Sequence, residues 1–196
     1  MATRSNALSE ITRFWLQECH GFFLRESVPV KLKNSHSDID FIVTSPTGPV
    51  TCLNRITFEN AIVETKDERD FDPRGADFAK RLRYDFEQLQ GGMISGDYPC
   101  NFSMLKEQHH TVAEEMFNGA AFSKIFIFHN LKLSGLEDVI AGLRDRNIHF
   151  VTSFEVLADI QEFFKTRPTG AGVRNALSGD ILDMLITYHT WRPHTD

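Results

Sequence analysis

Two short segments of the sequence place acidic side chains beside apolar and β-branched residues. They are Ser37-Asp38-Ile39-Asp40-Phe41-Ile42-Val43 and Ala61-Ile62-Val63-Glu64-Thr65-Lys66. Both patterns predict β-strands, and side chains alternate between the two faces of a strand. Glu64 and Lys66 should therefore point the same way. If the two strands pair, Asp40, Glu64 and Lys66 meet at one edge of a sheet.

These side-chain types suit the cleavage of phosphodiester bonds. Two carboxylates are typical ligands of a hard cation such as Mg²⁺, so Asp40 and Glu64 are the candidate metal ligands. A lysine beside them, here Lys66, can orient the attacking water or offset charge that develops on the phosphate. The pattern predicts a catalytic site that uses Mg²⁺, with Mn²⁺ as a substitute.

Composition narrows the class of protein. The chain has 196 residues, of which 41% are hydrophobic and 17 are Phe, which is enough for one domain with a core and argues against disorder. No apolar run is long enough to cross a bilayer, so no membrane partner is expected. The first residues lack the apolar segment of a secretory signal, and the three cysteines form no CxxC pair. These features predict a cytoplasmic protein without a zinc site.

The formal net charge is −6, whereas a strongly basic chain would itself indicate nucleic acid. Bound metal would offset part of a carboxylate cluster, so the charge does not exclude DNA. It does predict weak sequence-independent binding unless the positive residues gather on one face. A role directed at small molecules or proteins stays open on this ground.

Apolar spacing and turn residues predict the elements that must position the three side chains. A helix is expected over 8–24, ending near Gly21, and Pro29 marks a predicted edge strand. The predicted strands cover 28–33, 39–45, 50–54, 61–66, 124–131 and 148–152. Helices are expected from Asp72-Pro73 to Gly91-Gly92 and over 103–120, 135–145 and 154–164, with an exposed loop over 93–102. A last amphipathic helix is predicted around 181–186.

Clustered strands followed by alternating strands and helices indicate an α/β fold, with a mixed sheet and helices on both faces. No repeat or interdomain linker interrupts the sequence. We therefore predict a single domain over 1–196, with 167–196 as a C-terminal loop and helix extension.

This order of elements, carrying Asp40 and Glu64-Thr65-Lys66, resembles the PD-(D/E)xK nuclease superfamily. The resemblance is clearest over 8–66 and extends in topology to about 165. It departs from the family pattern in two ways: Ser37 stands where the name-giving proline would be, and the interval from Asp40 to Glu64 is long. The resemblance implies a restriction endonuclease-like core and a Mg²⁺-dependent DNA endonuclease of restriction, repair or defence type. A homodimer would supply the two sites that cutting both strands requires.

Many members of that superfamily carry a glutamate in the first helix, about a dozen residues before a Gly-Phe pair. Glu10 precedes Gly21-Phe22 by that interval, so the resemblance implies that Glu10 is a fourth catalytic residue. The helical wheel favours Glu18 instead, because it shares the apolar face with Trp15. Both remain candidates.

Two other functions fit part of the pattern. Asp38-Ile39-Asp40 resembles the Asp-x-Asp strand of minimal nucleotidyltransferases, with Glu64 as a third carboxylate, but the expected Gly-Ser pair is missing and Lys66 would have no task. The second alternative is a non-catalytic interaction protein on a nuclease-like fold, since a fold alone does not deliver chemistry.

Overall fold

A five-stranded mixed β-sheet with helices on both faces forms the centre of the protein. The computed structural model describes residues 7–33, 36–66, 76–96, 100–129, 131 and 135–166. The strands are β1 Phe23–Lys31, β2 His36–Thr44, β3 Val50–Cys52, β4 Ile56–Phe58, β5 Asn60–Lys66, β6 Ser123–Phe128 and β7 Ile148–Thr152. The helices are α1 Ala7–Phe14, α2 Ala76–Gln88, α3 Glu107–Met116, α4 Glu137–Arg144 and α5 Ser153–Thr166. A π-helical turn, Trp15–Cys19, continues α1, and a 3₁₀ turn, Ser103–Leu105, precedes α3.

The sheet combines an antiparallel half with a parallel half. Its strand order is β1-β2-β5-β6-β7, and β3 and β4 form a separate two-stranded sheet. Strand β2 is antiparallel to both β1 and β5, whereas β5, β6 and β7 run parallel to one another. The carboxyl ends of β5, β6 and β7 therefore lie on the same side of the sheet. Glu64 and Lys66 are at the carboxyl end of β5.

Each face of the sheet is covered by its own apolar core. One core packs β-strand residues such as Ile62 and Phe126 against Leu82 of α2 and Val139 of α4. The other packs Val63 and neighbouring strand residues against α1 and α5. Residues 60–64 of β5 are all buried, which explains the nearly continuous apolar sequence of this strand. The predicted mixed sheet with helices on both faces is confirmed.

Most of the predicted elements are present, with different bounds at the first helix. Gly21 adopts φ of +72°, a backbone conformation that favours glycine, and its N–H bonds to Gln17 O, 3.0 Å away. The helix itself ends earlier than predicted, because Phe23 already pairs with Thr44 of β2. Strand β1 is accordingly longer than predicted. It lies at the edge of the sheet, as predicted from Pro29, because an edge strand tolerates a proline.

The segment over 93–102 was predicted as an exposed loop. Ser95, Gly96 and Asn101 are exposed, but the prediction is wrong at Ile94 and Phe102. Ile94 and Phe102 are buried in the core, and Ile94 N–H bonds to Leu105 O at 2.7 Å. The predicted helix over 103–120 is shorter, because α3 covers Glu107–Met116 and Ser103–Leu105 forms a separate 3₁₀ turn before it. Strand β4 was not predicted. It has only three residues, which is too short for a clear alternating pattern in the sequence.

Several predictions fall on residues outside the described ranges. These are the Asp72-Pro73 helix start and the extension over 167–196 with its last helix. Within the ranges given above, no helix is long and apolar enough to cross a membrane.

Candidate active site at the ends of strands β2 and β5

The two acidic strands pair, and the candidate site lies where their pairing stops. Strands β2 and β5 are hydrogen-bonded from Thr44↔Asn60 to Phe41↔Val63. The next residues in this register are Asp40 and Glu64. Beyond that point, the Asp40 side chain rather than the β2 backbone accepts hydrogen bonds from β5. Its Oδ2 accepts the N–H and the Oγ1 hydroxyl of Thr65, both at 2.7 Å.

Glu64 and Lys66 lie on the same face of β5 and contact each other directly. Lys66 Nζ donates a hydrogen bond to Glu64 Oε1. Ser103 Oγ, from the 3₁₀ turn before α3, donates to the same oxygen at 3.0 Å. Glu64 is only 7% exposed and Lys66 is half-buried, so this is a partly buried ion pair rather than a surface pair.

The second oxygen of Glu64 is left without a hydrogen-bond partner. Oε2 is buried, and no donor within the described ranges reaches it. An unpaired buried carboxylate oxygen is costly, since buried polar atoms are almost always hydrogen-bonded. A bound cation would satisfy this oxygen.

Burial dominates the electrostatics of both carboxylates. It raises the pKa of Glu64, against the opposing effects of the Lys66 charge and the Lys66 hydrogen bond, and the charge of Asp40 adds to the rise. Burial also raises the pKa of Asp40, and its two hydrogen bonds from Thr65 partly offset this effect. Burial therefore disfavours the charged form of both carboxylates, and a bound divalent cation would offset that penalty.

Helix α1 packs against the Asp40 side of the site. Ser9 Oγ lies 3.0 Å from Thr65 Oγ1. Because Thr65 gives its hydroxyl hydrogen to Asp40, Ser9 must be the donor in this contact. Glu10, the next residue of α1, is half-buried, whereas Glu18 is exposed on the π-helical turn.

Asp40 and Glu64 would supply the protein ligands if a magnesium ion binds here. Mg²⁺ is usually bound by one or two carboxylates together with waters and substrate phosphates. Across the residues that the structure describes, no three His, Cys, Asp or Glu side chains are close enough to hold a metal together. Glu10 is therefore not placed as a third direct ligand beside Asp40 and Glu64.

Within the described ranges, Asp38 and two adjacent histidines of α3 make no hydrogen bond to the two carboxylates or to Lys66. Asp38 is exposed, and its charge contributes to the raised pKa of Asp40. The two adjacent histidines diverge on α3: His109 Nε2 is 3.1 Å from Ser37 Oγ, and the His110 ring packs on Phe122.

Sequence reasoning missed three residues that contact the carboxylates or their partners, namely Ser9, Thr65 and Ser103. Thr65 occupies the variable position of the Glu-x-Lys segment, to which the motif assigns no role. Its role follows only from the end of the β2–β5 pairing, which frees its N–H for Asp40. Ser103 is far along the chain, at the start of the predicted helix over 103–120, so no sequence signal links it to Glu64.

Comparisons of the chain with protein-family models, with curated proteins and with solved structures found no match. The functional assignment therefore depends on the chemistry of the site.

Proposed function

We propose that this protein is a divalent-metal-dependent nuclease that hydrolyses phosphodiester bonds, with DNA as its substrate and internal cleavage as its mode. One observation carries the proposal. Glu64 is buried, its Oε1 accepts a hydrogen bond from Lys66, and its Oε2 has no hydrogen-bond partner among the described residues. A buried carboxylate with an unpaired oxygen, close enough to a second carboxylate to feel its charge and in contact with a lysine, is an unusual arrangement unless a cation and an anionic substrate complete it.

Each residue has a defined task in this proposal. Asp40 and Glu64 hold Mg²⁺, or Mn²⁺, by their carboxylates. The metal, when bound, would polarise the scissile phosphate and lower the pKa of the attacking water. Lys66, whose side chain is 25% exposed, orients that water or stabilises charge on the phosphate. Glu10, on α1, would support the metal or one of its water ligands, since it forms no three-carboxylate group with Asp40 and Glu64.

The topology supports the same proposal. Helix α1 lies beside the site, the aspartate is on β2, and Glu-x-Lys ends the neighbouring strand β5. This is the arrangement that the resemblance to PD-(D/E)xK nucleases implies, and we propose a restriction endonuclease-like core on that basis. A cytoplasmic location fits the three free cysteines, Cys19, Cys52 and Cys100. A homodimer would bring two such sites to the two DNA strands.

The two alternatives gain less support. A nucleotidyltransferase would leave Lys66 without a task, although Lys66 contacts Glu64 directly. A non-catalytic scaffold would have little reason to keep this pair, because replacing a buried ion pair by apolar residues is often neutral or stabilising.

A cleavage assay with several substrates tests the proposal. The purified protein is incubated with supercoiled plasmid, linear duplex, single-stranded DNA and RNA, in Mg²⁺, Mn²⁺ or EDTA. We expect nicked or linear plasmid carrying 5′-phosphate ends with Mg²⁺ or Mn²⁺, and no product with EDTA. Cleavage that persists in EDTA would contradict the proposal. Nucleotide transfer from a triphosphate without any cleavage would favour the Asp-x-Asp alternative.

A further inference from the structure

Among the described residues, hydrogen-bond donors reach only one oxygen of the Glu64 carboxylate. Lys66 Nζ and Ser103 Oγ both donate to Oε1, and no described residue donates to Oε2. Two donors on one oxygen fix the plane of a carboxylate, so that the other oxygen points in a defined direction. The Lys66 side chain is long and flexible and cannot hold that plane alone. Ser103, with its short side chain, supplies the second fixed point.

The turn that carries Ser103 is anchored from α2 by a buried carboxylate. Asp85 is 0% exposed. Its Oδ2 accepts the backbone N–H groups of Asn101 and Phe102, at 2.8 and 3.0 Å, and its Oδ1 accepts Asn101 Nδ2 at 2.9 Å. The Cys100 thiol donates its one hydrogen to Phe102 O, 2.9 Å away, within the same turn. The chain that leads into Ser103 is therefore held by three N–H donors to a single side chain, two of them from the backbone.

The same turn is also fixed by packing. The Phe102 ring is buried and makes edge-to-face contacts with Phe126 and Phe150, at centroid distances of 5.5 and 5.7 Å. On the other side of Ser103, Ile94 N–H bonds to Leu105 O at 2.7 Å. The Ser103 hydroxyl consequently has a fixed position relative to β5, which a serine on a free loop would not have.

We propose that Ser103 is a positioning residue of the candidate metal site: it holds Oε1 of Glu64 and thereby directs Oε2 toward the divalent cation. The inference rests on the proposed function. It assigns Ser103 no contact with the substrate or with the metal itself. Partners of this kind orient the carboxylates that ligate metals, and losing one typically lowers metal affinity 10- to 100-fold.

The test compares Mn²⁺ binding, measured by calorimetry, in the parent protein and three variants. Ser103→Ala removes the hydroxyl, and Ser103→Thr keeps it. Ser45→Ala is the matched control, because Ser45 is also buried and hydrogen-bonded, to Thr47, but lies beyond the far end of β2. We expect Ser103→Ala to bind Mn²⁺ about 10-fold more weakly. Ser103→Thr and Ser45→Ala should both bind within about twofold of the parent.

Metal dependence of cleavage gives a second readout. Ser103→Ala should need about 10-fold more Mg²⁺ for its half-maximal rate, and saturating Mg²⁺ should restore most of that rate. Equal Mn²⁺ affinity of the parent and Ser103→Ala would overturn this inference and leave the proposed function standing. A parent protein that binds no Mn²⁺ would overturn both. Weak binding by Ser103→Thr as well as Ser103→Ala would indicate that the turn is merely structural, which also contradicts the assignment.

Discussion

Asp40 accepts two hydrogen bonds from Thr65, one from its backbone and one from its side chain, and both reach the same oxygen, Oδ2, at 2.7 Å. The backbone N–H is available because β2 and β5 stop pairing after Phe41↔Val63. The arrangement fixes the Asp40 carboxylate against the end of β5. It parallels Glu64, whose hydrogen bonds also fall on one oxygen only.

Removing the Thr65 hydroxyl should loosen this contact. Thr65→Val keeps the shape and the strand preference of the side chain but loses its bonds to Asp40 and Ser9. We expect a loss of about 1–2 kcal/mol in the free energy of unfolding, measured by urea denaturation, and a lower rate of cleavage. Thr65→Ser keeps the hydroxyl and serves as the control. A Thr65→Val protein as stable and as active as Thr65→Ser would show that the hydroxyl has no such role.

Neutralising Asp40 should not destabilise the metal-free protein at pH 7. Burial raises the pKa of Asp40, so the folded protein binds this proton more tightly than the unfolded chain does. Stability from this group is present below the unfolded pKa and is lost as the pH rises through the folded pKa. Asp40→Asn does not titrate, and its amide oxygen can still accept the Thr65 N–H. In thermal unfolding with EDTA, the variant should match or exceed the parent at pH 7, and its advantage should shrink toward pH 4. A lower melting temperature than the parent at pH 7 would contradict this.

His109 should make the protein less stable in mild acid. It is 1% exposed, and burial, aided by the charges of Lys124, Lys106 and Lys66, lowers its pKa to about 4. The unfolded chain takes up a proton near pH 6.5, which the folded protein resists, so stability falls as the pH drops from about 6.5 to about 4. His109→Gln should reduce the loss of stability between pH 7 and pH 4.5 by about 2 kcal/mol.

Chemical denaturation at the two pH values measures this difference. His36→Gln is the control, since His36 is exposed. An equal loss of stability in the parent and His109→Gln would show that His109 does not carry the effect.

Lys66 should separate metal binding from turnover. Lysine is not a metal ligand, and Ser103 still holds Oε1 of Glu64 when the flexible Lys66 side chain is removed. Lys66→Ala should therefore retain Mn²⁺ affinity within a few-fold while its cleavage rate falls on the order of 100-fold. Lys80→Ala changes an exposed lysine on α2 and controls for the loss of positive charge. Parallel loss of metal binding and turnover in Lys66→Ala would instead indicate that the ion pair with Glu64 holds the site together.

Local sequence patterns predicted the part of the site that lies on two strands. Alternation along a strand places Glu64 and Lys66 on one face, and the apolar runs predict that β2 and β5 are buried and adjacent. The role of Thr65 depends on where the hydrogen bonding between β2 and β5 stops. To predict it one must know the register of the two strands, which the sequence leaves open.

Residues distant in sequence were beyond this reasoning. The segment over 100–103 contains polar residues typical of an exposed loop, yet Asp85 satisfies its backbone donors and allows Phe102 to enter the core. Asp85 is one of several charged residues of α2, and nothing in the sequence indicates that its carboxylate is buried. Burial of a loop by a distant carboxylate is a tertiary effect, and it is what brings Ser103 to Glu64.

The most direct test of the central claim is the rate of Mg²⁺-dependent plasmid cleavage per folded molecule of Asp40→Asn, compared with the parent prepared in the same way. A neutral amide is a poorer ligand for a hard cation than a carboxylate, and Asp40→Asn should still fold. We predict that the parent cuts DNA and that Asp40→Asn is slower by on the order of 100-fold or more. Cleavage by Asp40→Asn at the rate of the parent, across several DNA substrates, would contradict the account, because the activity would then not come from this site.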